Sequence, residues 1–265
     1  MLGTRIATAA LLAAAAVFTV LYLPSWIMAL IFGALWTIGA WEWAHFLSAP
    51  RGIAAGYAGV CIALLLLCGG AFDQSGAASL AALAMAWWLT ALVSVLCFPW
   101  PAPAAFSAVA GLLVLVPSWF FLVYIHNSGS SGPALTMALL CIVWAADVGA
   151  FLCGRRFGRV KLAPAVSPGK TWEGVLGGLA CASAVAVVAA VMLDRSVALW
   201  VALGLATAMV SVVGDLTVSM FKRRAGKKDS GRLLPGHGGI LDRIDSLSAA
   251  APIFFLGLEL SGSGL

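Results

Sequence analysis

Between Ser219 and Asp245 the chain reads SMFKRRAGKKDSGRLLPGHGGILDRID, with seven basic and three acidic side chains in 27 residues. Residues 1–150 carry five charged side chains in all: Arg5, Glu42, Arg51, Asp73 and Asp147. Ionisable groups in or beside a bilayer are costly and persist where they act, so a dense cluster after a long apolar run marks a functional site. Asp242 and Asp245 are three apart at the start of the last helix and project from one face. Carboxylates so placed suit a hard divalent cation such as Mg²⁺, which takes one or two of them and completes its shell with water and substrate phosphates. Asp215 lies within an apolar span and is the expected third ligand, with Ser219 one turn on at i+4. Ion pairs from these Asp residues to Arg223 or Arg243 are the plain structural alternative.

Lys222 and Arg223 continue the helix of Asp215 and Ser219, which places them to meet phosphate oxygens; Arg offers a bidentate fork, Lys a point charge. Arg224 and Lys227 read instead as juxtamembrane anchors on anionic lipid. The turn Pro235-Gly236-His237-Gly238-Gly239 has three glycines that let backbone N–H groups approach an anion. His237 is a phosphate contact or an ordinary hydrogen-bonding residue, and Asp229 either orients Lys228 or Arg232 or joins the site. In the second charged loop, Ser167-Pro168-Gly169-Lys170-Thr171 invites a P-loop reading. That reading fails, because Pro164 stands where the motif needs Gly and an apolar helix stands where it needs a strand. What remains is Lys170 and Thr171 at a helix N-terminus, a natural anion site. Glu173 complements the helix dipole or serves catalysis, Gly174 and Gly178 have the spacing of close helix packing, and His45 and His126 read as structural or solvated.

The elements that must position these residues are membrane helices. The composition is 63% hydrophobic and 9% charged, against roughly 45–50% and about 25% in soluble domains. Apolar runs broken by Pro, Gly and polar clusters predict helices near 5–23, 25–47, 53–71, 77–98, 104–125, 133–153, 171–193, 197–220 and 246–261, the first a true span rather than a cleaved leader. The expected class is therefore all-α: a polytopic membrane protein with about nine crossings, a single domain over 1–265, with less characteristic spans in 1–132 and the charged motifs in 133–265. Nine crossings put fourteen of the fifteen Lys and Arg on one side and only Arg195 opposite, so that side is cytoplasmic. The six cysteines fall in apolar runs without metal-type spacing and read as packing residues. The formal charge of +5 sits beside spans, which favours anionic headgroups and phosphorylated ligands over nucleic acid.

With these residues in view, the chain resembles the phosphatidate cytidylyltransferase, or CDP-diacylglycerol synthase, family. The resemblance rests on Ser219, Lys222-Arg223, Lys228-Asp229, Gly231, Pro235, His237-Gly238-Gly239, Asp242-Arg243 and Asp245. A second block runs from Asp147-Val148-Gly149-Ala150-Phe151 through Gly154, Gly158 and Lys161-Leu162 to Ser167-Pro168-Gly169-Lys170-Thr171-Trp172-Glu173-Gly174. The family commonly has Thr where Val148 stands and Glu where Val218 stands. The resemblance implies a reaction of CTP with phosphatidic acid at the cytoplasmic face of a bacterial inner membrane, with Mg²⁺ and a monovalent cation such as K⁺ near it, and leaves room for a homodimer. It implies catalytic roles for Lys222, Arg223, Asp229 and His237, and substrate contacts from Ser167, Lys170, Thr171, Lys228, Gly238, Gly239 and Arg243. The metal would fall to Asp215, Asp242 and Asp245 with Ser219.

The nearest competing expectation is the same chemistry on another lipid, by an isoprenoid ether lipid cytidylyltransferase or a CTP-dependent polyprenol kinase. A CDP-alcohol phosphotransferase would show D-G-x-x-A-R, which is absent. A transporter would set its ionisable groups at the bilayer midplane between two similar halves; here they crowd at one face.

Overall fold

Where water is absent, a chain must satisfy its backbone polar groups internally, and a helix does so within one segment. In the computed structural model, which describes residues 2–47, 50–70, 74–231, 233 and 238–261, the apolar runs are accordingly helical. Among the described residues there are nine α-helices: α1 Leu2–Tyr22, α2 Ser25–Ala44, α3 Arg51–Gly70, α4 Gln74–Leu96, α5 Ala104–His126, α6 Gly132–Phe157, α7 Trp172–Met192, α8 Val197–Arg224 and α9 Leu241–Leu260. Seven of them, α2 to α8, are long and apolar enough to cross a bilayer. In α1 the apolar stretch found among the described residues is the shorter Ala10–Tyr22, and α9 carries Asp242, Arg243, Asp245 and Glu259.

Two of the boundary differences from the sequence expectation bear on the site. α6 runs on to Phe157, and the segment after it is a small antiparallel hairpin of β1 Lys161–Ala163 and β2 Ser167–Thr171, so the all-helical class carries one two-stranded exception. α9 starts at Leu241 rather than near 246, which puts both of its Asp residues inside the first two turns.

Lipid tails are as apolar as the helices, so close contact through small residues and polar stitches must hold the helices together. α6 and α7 form the most extensive pair. A Cβ on Gly149 would stand 2.7 Å from Cys181 Sγ and from Gly177 O, and one on Gly178 would stand 2.7 Å from Ala146 O. This is the close packing expected of the glycine spacing. In the other half, Trp36 Nε1 donates to Ser118 Oγ at 2.7 Å, Trp43 Nε1 to Ser107 O at 2.8 Å and Tyr57 OH to Ala108 O at 2.7 Å, which ties α2 and α3 to α5. His126 is structural: its ring nitrogens meet Ser25 Oγ at 2.9 Å and Val20 O at 2.8 Å, while His45 Nδ1 meets Trp41 O. All six cysteines are free. Large apolar side chains such as Leu66, Leu67, Leu89 and Leu176 stay exposed on the outer faces, which suits a lipid surround.

Two helix ends aim the charged loops. Thr171 caps α7, its hydroxyl accepting from Gly174 N at 3.2 Å. α8 stops in a Schellman turn: Gly226 is left-handed at φ 66, its N–H meets Arg223 O at 3.0 Å, and Lys227 N–H meets Lys222 O at 2.8 Å.

Candidate active site

A cavity of about 540 Å³ opens where α6, the β-hairpin, α7, α8 and the start of α9 converge. Its polar wall holds Asp147, Arg155, Lys170, Thr171, Asp215, Asp242, Arg243, Asp245 and Ser246; its apolar wall holds Phe151, Val175, Leu179 and Val212. Val212 lies about one turn further from the charged loop than Asp215 on α8, so the cavity grades from charged to apolar along that helix.

The two ion pairs found among the described residues are both here. Lys170 Nζ lies 2.7 Å from Asp215 Oδ2, and Lys222 Nζ lies 2.7 Å from Asp242 Oδ1. Asp215 also accepts from Ser219 Oγ at 3.2 Å, the i+4 relationship read from the sequence. Asp242 Oδ2 takes the N–H groups of Ser230 at 2.9 Å and Gly239 at 3.1 Å. The partners of Asp215 and Asp242 are thus lysines, not Arg223 or Arg243.

Asp147 and Asp245 are joined through Ser246, whose hydroxyl donates to Asp147 Oδ1 at 3.2 Å and whose N–H donates to Asp245 Oδ1 at 2.8 Å. Neither forms an ion pair among the described residues, although Asp147, Asp215 and Asp245 repel one another across the cavity. Asp245 is 8% exposed, so the corner holds a nearly buried carboxylate facing like charges. An oxygen-rich, negatively charged corner of this kind fits a hard divalent cation. Among the described residues no three Asp, Glu, His or Cys side chains stand in a ready metal-holding arrangement; the lysines supply the positive charge beside Asp215 and Asp242.

The remaining expected residues divide. Arg223 is exposed and its Nε donates to Val166 O at 3.2 Å, bracing the hairpin that carries Lys170. Ser167 lies in β2 opposite Ala163. Gly238 is left-handed at φ 78, and the Gly239 N–H expected to meet an anion is taken by Asp242. Lys228 and Asp229 are exposed and line a separate hollow of about 730 Å³ with Glu42, His45, Lys227 and Ser230. His237 lies outside the described residues. Arg224 and Lys227 are anchors, but on protein: Arg224 Nη2 donates to Ala102 O at 2.7 Å with its guanidinium 5.2 Å over Trp100, and Lys227 Nζ donates to His45 O at 2.8 Å. Glu173 accepts the Val160 N–H at 3.2 Å and closes the hairpin onto α7.

Val218 is fully buried and is not among the residues that line the cavity. Val148 is exposed next to Asp147. Asp147, a rare acidic group whose place two turns before the expected helix end near 153 already aims it at the corner of Asp215, lines the cavity; Arg155 at the basic end of α6 and Ser246, which had no local signal, join it beyond the expected residues, while Glu42, a lone carboxylate in an apolar span, lines the neighbouring hollow.

The model of the cytidylyltransferase family matches residues 3–261. The chain is 42% identical over 272 residues to a phosphatidate cytidylyltransferase of Pseudomonas aeruginosa, covering 100% of this chain and 99% of that protein. It is 39% identical over 283 residues to the protein of that name in Haemophilus influenzae, covering 96% and 97%. With the one in Staphylococcus saprophyticus it shares 44% identity over 132 residues, 49% of this chain and 51% of that one.

Proposed function

This chain belongs to the cytidylyltransferase family, and on that premise we propose that it transfers the cytidylyl group of CTP to phosphatidic acid, giving CDP-diacylglycerol and pyrophosphate. The observation that carries the reading is the two-natured cavity, in which four carboxylates and the ammonium group of Lys170, with Lys222 paired to Asp242, stand beside an apolar wall. A water-soluble triphosphate and a lipid headgroup can meet there.

The phosphate of phosphatidic acid is mostly dianionic at pH 7, its second pKa being about 6, so its oxygen attacks the α-phosphorus of CTP without a general base. The new P–O bond forms as the bond to the bridging oxygen breaks, and pyrophosphate leaves with that electron pair. Catalysis then consists of positioning and charge neutralisation. Lys170 and Lys222 are held by Asp215 and Asp242 before substrate arrives, which removes the cost of orienting them later. Arg223, exposed on the last turn of α8, brings a bidentate fork to the phosphates. Asp215, Asp242 and Asp245, with Ser219 beside them, would hold Mg²⁺, which would supply further neutralisation of the triphosphate; the family resemblance implies a monovalent cation such as K⁺ near it. Asp147 extends this donor set.

The protein is a multi-pass membrane protein. Its site faces the cytoplasm of a bacterial inner membrane, where CTP is available: with nine crossings, Arg195 alone among the basic residues falls on the far side.

The reading is tested with purified protein in detergent, phosphatidic acid and each of CTP, UTP, ATP and GTP, the lipid products being resolved by mass. CDP-diacylglycerol formed from CTP is expected. A phosphorylated lipid made by γ-phosphate transfer, or no nucleotide-bearing lipid at all, would overturn it.

A further inference from the structure

Glu42 is the one charged residue of α2 and is 5% exposed. Its Oε2 accepts from Ser230 Oγ at 2.8 Å and from Leu241 N–H at 2.9 Å, and its Oε1 accepts from Ile240 N–H at 3.1 Å. Gly231 and Gly239 flank it, and a Cβ on either would run into the carboxylate. Among the described residues it has no ion-pair partner.

The reason for this arrangement lies at the start of α9. The first N–H groups of a helix have no intrahelical acceptor, and a negative charge there is favoured by the helix dipole. Ile240, at the N-cap position, makes no side-chain cap bond. Glu42 supplies the missing acceptor from 199 residues away in sequence. It holds the backbone of Ile240 and Leu241, the two residues before Asp242. It also holds the hydroxyl of Ser230, whose N–H is bonded to Asp242 Oδ2 at 2.9 Å. Ser230 is thereby clamped between two carboxylates, one from α2 and one from α9.

The geometry points to Glu42 as a positioning residue: a carboxylate of the N-terminal half that caps α9 in trans and so fixes the aim of Asp242 and Asp245 into the cavity. This rests on the reading of that cavity as the transfer site. Glutamine cannot replace it. With a single acceptor oxygen, an amide at this position turns its NH₂ toward the Ile240 or the Leu241 N–H, donor against donor.

The test uses full-length protein in detergent, with Mn²⁺ binding read by electron paramagnetic resonance without substrates, beside kcat and KM for CTP. Losing an outer residue that orients metal ligands weakens metal binding about tenfold or more. Glu42→Gln is therefore expected to remain folded, to bind Mn²⁺ about tenfold more weakly and to lose kcat by a similar factor, with KM for CTP moving far less. Folded Glu42→Gln with wild-type Mn²⁺ affinity and kcat overturns the inference. If Glu42→Gln does not fold, Ser230→Ala decides: weaker Mn²⁺ binding supports the clamp, and wild-type binding overturns it. Asp245→Asn separates the levels. Mn²⁺ binding that survives Asp245→Asn sinks the reading of the cavity and this inference with it; binding lost in Asp245→Asn but intact in Glu42→Gln sinks this inference alone.

Discussion

Lys222 Nζ lies 2.7 Å from Asp242 Oδ1, tying the last turn of α8 to the first turn of α9, with the two side chains 10% and 9% exposed. Removing one partner of a buried ion pair leaves the other uncompensated at a cost of about 3–5 kcal/mol. Lys222→Met and Asp242→Asn should each lower stability by about 3 kcal/mol. The double variant should recover part of that loss, with a coupling of about 1–3 kcal/mol. Unfolding in detergent measures both, and a coupling near zero would mean that the pair is not formed.

The two adjacent arginines separate by what they touch. Arg223 braces the hairpin at Val166 O through Nε and is otherwise exposed, whereas Arg224 is spent on Ala102 O and the Trp100 ring. A contact that strengthens on developing pyrophosphate acts on turnover. Arg223→Ala should lower kcat about tenfold at saturating CTP and lipid, a change of about 1.4 kcal/mol in barrier. Arg224→Ala should leave kcat within about twofold and lower stability by about 1–2 kcal/mol through the lost hydrogen bond and ring contact. Equal small effects on kcat from both would reduce the basic run to an electrostatic collar.

Asp147 reaches the cavity from α6, and its height there is set by the contact of Gly149 with α7. A Cβ on Gly149 meets Cys181 Sγ and Gly177 O at 2.7 Å, one of them backbone that cannot yield. Overpacking of this kind costs about 1–3 kcal/mol. Gly149→Ala should lose that much stability and also lose turnover, because α6 must move off α7 and carry Asp147 with it. Steady-state kinetics on the folded fraction checks this; unchanged kcat would detach Asp147 from the reaction.

The long apolar runs made the helices legible, because a span of about 20 residues is a length requirement that sequence states directly. The Lys222–Arg223 extension of α8 and the i+4 pairing of Asp215 with Ser219 were likewise local and readable. The hairpin at 161–171 was not, since its five-residue strand SPGKT has neither alternation nor β-branched enrichment. The partners of the acidic residues were hidden for another reason. Ser246 meets Asp147 across 99 positions and Glu42 meets Leu241 across 199, so only tertiary packing brings them together. A lone carboxylate in an apolar helix signals that it has partners without saying which.

Orientation is checked by labelling. Ser230 is a poor reporter, being buried against Glu42, whereas Lys161 in the hairpin and Ser196 before α8 are exposed. In a background with the six native cysteines replaced, Lys161→Cys should react with an impermeant thiol reagent only once the inner face is opened. Ser196→Cys should react from outside intact cells. The reverse pattern would put the site away from cytosolic CTP.

The central claim is that the carboxylate corner between α6, α8 and α9 is where the cytidylyl group moves. The most direct measurement is CDP-diacylglycerol formation by purified Asp242→Asn and Asp245→Asn proteins at saturating Mg²⁺, with unfolding profiles recorded in parallel. Each variant should insert and fold yet make less than about a hundredth of the wild-type product, as expected when a group supporting transition-state charge is removed. Near-normal turnover in both folded variants would contradict the account and move the chemistry elsewhere in the molecule.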